Sequence, residues 1–217
     1  MGEADSAFTT GDYHANYETR GRNTEERLTR SYRRALELVE EQGWDNPLKR
    51  ETPHVLQCGT GAARTTSTFV DFVLSANPNA KISVLDLSDK PLNAAKTKIA
   101  EEKGASIADA IDFIQANALA TGLPDASVDM IETDYFLQFF SPGDKKRLIE
   151  EWSRILKPGG VITTRDYVQR EGNVATSAAE KVLDKGRRTY IKRHLGPKAY
   201  KTSTTELSLA DYSETPI

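Results

Sequence analysis

Apolar positions along this chain follow two alternating periods. In "TEERLTRSYRRALELVEEQG", residues 24 to 43, Leu28, Tyr32, Ala35, Leu36 and Val39 fall on one stripe of a helix whose other positions are charged, and Gly43 marks its end. Short apolar runs then alternate with longer helical stretches. "PHVLQC" reads as a strand, "TTSTFVDFVLSA" as a helix, "AKISVLDL" as a strand and "DKPLNAAKTKIAEEKG" as a helix. Asp89 is the expected cap of that second helix, Pro91 lies in its first turn and Gly104 closes it. "AIDFIQA" and "VDMIET" read as strands joined through the turn "TGLPDAS". The helix "GDKKRLIEEWSRIL", the turn "KPGG" and the strand "VITTRDYV" complete the pattern. Five short apolar strands separated by helices predict a doubly wound α/β fold, with a mostly parallel sheet covered by helices on both faces.

Composition narrows the class without naming a chemistry. The 217 residues suit one domain with a sizeable core, and 38% hydrophobic with 28% charged residues describe a soluble globular chain. A formal charge of −3 gives the whole molecule no bulk attraction to nucleic acid or to an anionic membrane. The single cysteine, Cys58, precludes an internal disulfide and fits a reducing, cytoplasmic setting; it reads as a buried small residue. The first twenty residues hold no apolar segment of the secretory-signal kind, and no run is long enough to span a bilayer. His14, His54 and His194 lack metal-ligand spacing, so no metal is expected.

Open parallel sheets bind ligands beyond the carboxyl ends of their strands, near the point where strand order reverses. The residues following each predicted strand are therefore the candidates. Gly59, Thr60 and Gly61 follow the first, where missing side chains let the backbone turn tightly and approach a ligand. Asp86 ends the second, an acid suited to two ribose hydroxyls. Asn117 and Ala118 follow the third, Thr133, Asp134 and Tyr135 end the fourth, and Arg165, Asp166 and Tyr167 end the fifth. A nucleoside-bearing ligand laid across these tips would touch most of them.

A dinucleotide fold wants G-x-G-x-x-G, but Arg64 stands at the third glycine position of "GTGAAR". The spacing instead follows acid-x-G-x-G-x-G, with Gln57 at the acid position and Ala63 at the last glycine. Together with "FIQANALATGLPDASVDMI" and "LKPGG", in this order and spacing, it resembles the class I S-adenosylmethionine-dependent methyltransferases over roughly residues 53–168. The resemblance implies S-adenosylmethionine as cofactor. Gly59, Thr60 and Gly61 would pass beneath its methionine part, Asp86 would hold the ribose diol and Leu87 would pack on the adenine. Asn117 and Ala118 would meet the exocyclic edge, and Thr133 with Tyr135 would line the sulfonium side. Gln57 departs from the pattern: it keeps an acceptor and loses a charge that would favour the cofactor's cations. Asn117 stands where aspartate is common.

Methyl transfer from a sulfonium is an in-line displacement, so alignment and water exclusion dominate, with a general base where the acceptor is an amine or hydroxyl. Candidates on the acceptor side are Tyr13, His14, Tyr17, Asp134, Gln138, Asp166 and Tyr167; His14, Tyr17 and Asp166 are the catalytic assignments, and His14 has the best-placed ordinary pKa. The same reading divides the chain into an N-terminal arm and helix (1–50), a cofactor-binding core (51–170) and a C-terminal basic segment with a final strand (171–217). Lys181 to Lys201 holds eight Lys or Arg against one acid, Asp184, which reads as a solvated face or a patch for an anionic acceptor. A shortened C-terminal hairpin would leave a sheet edge that favours a homodimer. The expected function is methyl transfer to an oxygen or nitrogen of a small-molecule acceptor, with no membrane partner; nucleic acid is disfavoured as a partner, and an RNA backbone is one anionic acceptor that the basic segment would suit. The alternatives are a non-catalytic methyltransferase-like subunit that partners another chain, and an NAD(P)-dependent oxidoreductase.

Overall fold

The computed structural model describes residues 24–166, apart from the side chain of Gln138. Helix α1 (Glu25–Glu41) starts where the Thr24 hydroxyl accepts from the Arg27 amide, with Glu25 and Glu26 in the first turn, where acids favour the helix dipole. A short 3-10 turn (Pro47–Lys49) leads into β1 (His54–Cys58) and then α2 (Ala63–Ala76). Next come β2 (Lys81–Asp86), α3 (Asp89–Lys103), the short α4 (Ala105–Asp109) and β3 (Asp112–Gln115). β4 (Val128–Asp134), a 3-10 turn (Leu137–Phe139), α5 (Pro142–Ile155) and β5 (Leu156–Arg165) follow.

The sheet has the order β3-β2-β1-β4-β5, and every pairing is parallel. Strand order therefore reverses between β1 and β4. Each strand sends alternate residues to opposite faces. Val55, Val84 and Met130 enter a core with Leu28, Tyr32 and Leu36 of α1, Phe69, Val70 and Val73 of α2, and Leu92 and Ile99 of α3. Leu56, Cys58, Leu85 and Ile131 face the other way, onto Leu148, Trp152 and Ile155 of α5. Helices thus cover both faces, as the strand pattern predicts. α1 is part of the first core rather than an appendage to it: the Tyr32 ring meets Phe69 edge-on at 5.3 Å.

Two local expectations are corrected and one element is added. Asp89 is not the cap of α3; Ser88 occupies that position without a side-chain capping bond, and Asp89 is the first helical residue. "KPGG" is not a turn ahead of the last strand but lies within β5, which pairs Val128 with Leu156 and then Met130 with Val161, so the extra residues form an irregularity in the ladder. The segment before β3 contains α4, which the strand reading from Ala110 did not include.

The amino ends of the central strands are fastened by Asp129. Its buried carboxylate accepts from the His54 amide and the Lys157 ammonium, both at 2.7 Å, and pairs with Arg50. That satisfied cluster lies at the end of the sheet opposite the strand tips. The His54 ring is held between the Ser127 carbonyl and the Ser83 hydroxyl, a structural position.

Candidate functional site

The loop after β1 turns through two glycines in the left-handed region, Gly59 at φ +83° and Gly61 at φ +57°. Side chains rarely adopt either value, so the sequence "GTG" is required by the turn itself. The Gly59 amide donates to the Leu85 carbonyl at 2.8 Å, which holds the loop beside the end of β2. Asp86 completes that attachment. Its Oδ2 accepts from the Thr60 amide (3.0 Å) and the Thr60 hydroxyl (2.8 Å), while Oδ1 accepts from the Ser88 amide (3.0 Å). A carboxylate has about four acceptor sites, so Oδ1 keeps capacity for a ligand hydroxyl after these bonds. Leu87, the next residue, is 69% exposed, a large apolar side chain beside an acid at the crevice.

The third-strand candidates divide. Asn117 is exposed, and its Oδ1 accepts from the Leu119 amide at 2.9 Å, closing a small turn; Ala118 is buried among the α5-side core residues. At the tip of β4, Thr133 is fully buried and its hydroxyl donates to Thr164 at 3.0 Å. Tyr135 has φ +52°, an uncommon conformation for a bulky residue. Its amide donates to the Arg165 carbonyl at 2.7 Å, and the Arg165 guanidinium lies 5.1 Å from the centre of its ring. Asp134 receives both Nε and Nη2 of Arg165, each at 2.7 Å. This forked ion pair occupies the acid that the sequence offered as an acceptor-side base. Asp166 follows β5, half-buried, and Gln138 lies in the 3-10 turn after β4. Tyr13, His14, Tyr17, Tyr167 and the basic stretch 181–201 lie outside the described residues.

Two features were not anticipated. The Phe136 ring covers Gly59: a Cβ at position 59 would lie 2.6 Å from its Cδ2. The same ring meets Phe140 at 4.9 Å and stacks near Trp152 at 6.4 Å, which joins the "YFLQFF" segment to the α5-side core. The second is an acid within β4. Gln57 donates from Nε2 to Glu132 Oε2 at 3.0 Å, with both side chains buried, while Gln57 Oε1 has no partner among the described residues. Burial, reinforced by the charge of Asp134, pushes the Glu132 carboxyl up to about 8. The sequence signal for this was an acid flanked by apolar and small residues in "VDMIET". Cys58 is fully buried, and burial pushes its thiol well above the ordinary range, which leaves it unreactive.

These groups suit a nucleoside. Oδ1 of Asp86 has acceptor capacity for a hydroxyl, Leu87 presents apolar surface for a base, and the glycine loop is bare backbone.

Comparison with known proteins agrees with this geometry. A family model described as a methyltransferase domain matches residues 56–164. The chain is 36% identical over 105 residues to a demethylmenaquinone methyltransferase from Lactococcus lactis, covering 48% of this chain and 37% of that protein. It is 26% identical over 153 residues to a tRNA N(3)-methylcytidine methyltransferase from Schizosaccharomyces pombe, covering 70% of this chain and 48% of that protein. The chain therefore spans half or less of the length of these curated relatives. Among solved structures, a chain from Methanococcus maripaludis assigned as an S-adenosylmethionine-dependent methyltransferase superposes with a TM-score of 0.54 at 17% identity, covering 89% of this chain and 77% of that one. One from Galdieria sulphuraria assigned as a sarcosine dimethylglycine methyltransferase superposes with a TM-score of 0.53 at 23% identity, covering 72% and 54%. These likenesses show the fold. No helix among the described residues is long and apolar enough to cross a membrane.

Proposed function

This chain belongs to the class I S-adenosylmethionine-dependent methyltransferases, and from that premise we propose that it methylates an oxygen or nitrogen of a small-molecule acceptor. The observation that carries the cofactor assignment is the loop of Gly59 and Gly61, which the Asp86 carboxylate fastens beside an exposed Leu87 at the reversal of strand order. Bound there, S-adenosylmethionine supplies an electrophilic methyl group on a sulfonium.

The chain's own residues bind, orient and exclude water. Gly59, Thr60 and Gly61 offer backbone to the methionine part, the free capacity of Asp86 Oδ1 takes the ribose, and Leu87 with Asn117 and Ala118 takes the adenine. Tyr135, held in its left-handed conformation by Arg165, bounds the methyl side, and Thr133, buried against Thr164, supports that strand tip from within the sheet. Because Asp134 is engaged by Arg165, the base for a hydroxyl or ammonium acceptor falls to His14, Tyr17 or Asp166. An RNA acceptor is the second reading. It is supported by the name of the S. pombe relative and by the eight basic residues between Lys181 and Lys201.

Calorimetry with S-adenosylmethionine and with NAD(H) tests the cofactor, and release of S-adenosylhomocysteine with small-molecule and tRNA acceptors tests the reaction. Binding of S-adenosylmethionine with turnover on a small molecule is the expected result. Binding without turnover on any acceptor would favour the non-catalytic subunit, and binding of NAD(H) alone would remove the cofactor assignment.

A further inference from the structure

The glycine loop rests on a buried polar cluster whose hydrogen bonding is incomplete. Gln57 and Glu132 face each other across β1 and β4, two residues before Gly59 and two before the tip of β4. Two oxygens here, Gln57 Oε1 and the hydroxyl of Tyr32, whose electrostatics are coupled to Glu132, are buried without a partner among the described residues. Such atoms are costly unless something donates to them. Among the described residues, charged and polar groups approach this cluster from α1, β1, β2, β4 and β5. Tyr32 and Ser31 come from α1, and Arg165 of β5 reaches the Ser31 hydroxyl while it holds Asp134 of β4. Cys58 and Asp86 belong to the neighbouring strands β1 and β2. Arg165, the cation among these, makes two bonds to Asp134 and acts on Glu132 through its charge, while the Gln57 amide donates to Glu132 directly.

We propose that Glu132, positioned by Gln57, is the recognition residue for the α-ammonium group of the cofactor's amino-acid end, supplying from β4 the carboxylate that position 57 lacks. The proposal rests on the cofactor reading given above. An ammonium group has three donors and no acceptor, which matches a carboxylate beside an unpaired amide oxygen. An amide at position 57 instead of a second acid keeps the cluster to one carboxyl group, so a single proton leaves when the cation arrives. Burial holds that proton on Glu132 up to about pH 8 in the free protein, and binding therefore carries a proton release.

Titration calorimetry on the full chain from pH 6 to 9 tests this with three probes. S-Adenosylmethionine carries both cations, S-adenosylhomocysteine keeps the ammonium without the sulfonium, and methylthioadenosine lacks the amino-acid end. For S-adenosylhomocysteine, affinity should rise up to about tenfold per pH unit below 8 and then level, with close to one proton released near neutral pH. Glu132→Gln should weaken it at least about tenfold at pH 8 and flatten the profile, and methylthioadenosine should respond to neither change. The proton count in the unaltered chain needs no variant to fold. A flat profile with unchanged affinity in Glu132→Gln would make the acid purely structural. A profile seen with S-adenosylmethionine and not with S-adenosylhomocysteine would overturn the ammonium assignment in favour of the sulfonium. No binding of any probe would overturn the cofactor reading itself, and this proposal with it.

Discussion

The ring of Phe136 lies over Gly59, 77 residues earlier in a different loop, at a distance that leaves no room for a methyl group. The first glycine of "GTG" is therefore needed twice, for a left-handed backbone and for an aromatic neighbour. Gly59→Ala should destabilise the fold by about 2–3 kcal/mol, the sum of positive-φ strain and overpacking. Denaturant unfolding checks it. Gly59→Ala combined with Phe136→Leu should recover part of the loss, and strict additivity of the two changes would show that the ring is not the obstacle.

Asp86 binds the loop before it binds anything else. Asp86→Ala removes the acceptor for the Thr60 amide, the Thr60 hydroxyl and the Ser88 amide, all buried. Stability should drop by about 1.5–3 kcal/mol along with affinity for S-adenosylmethionine. Thr60→Val removes only the hydroxyl donor and should cost about 1 kcal/mol of stability, with a smaller change in cofactor affinity. Equal losses of affinity in the two variants, measured by calorimetry, would remove the ribose assignment.

Glu132 makes stability depend on pH. The folded carboxyl keeps its proton to about pH 8, whereas an unfolded glutamate releases it near 4.5. Between these values the folded state binds the extra proton, so stability from this group is complete below 4.5 and declines as pH rises through 8. Glu132→Gln removes that slope. At pH 9 the variant should exceed the parent in stability by a few kcal/mol, on the order of the shift converted at about 1.4 kcal/mol per unit. Identical pH profiles of thermal unfolding in the two proteins would contradict it.

Removal of residues 1 to 20 leaves the Thr24 cap, every strand and each cofactor candidate in place while deleting Tyr13, His14 and Tyr17. The truncated chain should keep its circular dichroism and bind S-adenosylmethionine, while methyl transfer falls by at least about tenfold through lost closure or a lost base. An unimpaired rate would move the acceptor-side base to Asp166.

Local physics explains what the sequence by itself determined. Strand and helix periods are set by neighbours in the chain, so the order of the five strands and the long helices, the doubly wound class and the α1 stripe of Leu28, Tyr32 and Leu36 were readable, while the five-residue α4 was not. The demand for glycine at positions 59 and 61 is also local, because φ is a property of one residue. The family resemblance added an ordered set of such local signals. The bulged path of "KPGG" was not readable, because it depends on where Leu156 and Val161 find partners on β4.

Tertiary structure decided which polar groups meet. Gln57 and Glu132 are 75 residues apart and come together only because β1 and β4 are neighbours at the reversal of strand order. Asp134 changed from a candidate base to half of an ion pair when β5 placed Arg165 alongside it. Asp86 became an anchor once the β1 loop folded back onto β2. A parallel sheet places residues from distant segments side by side in one low-dielectric layer, where a hydrogen bond or a bare charge weighs most. Periodicity shows that a strand is buried, but which charge lies against it depends on the order in which the strands assemble.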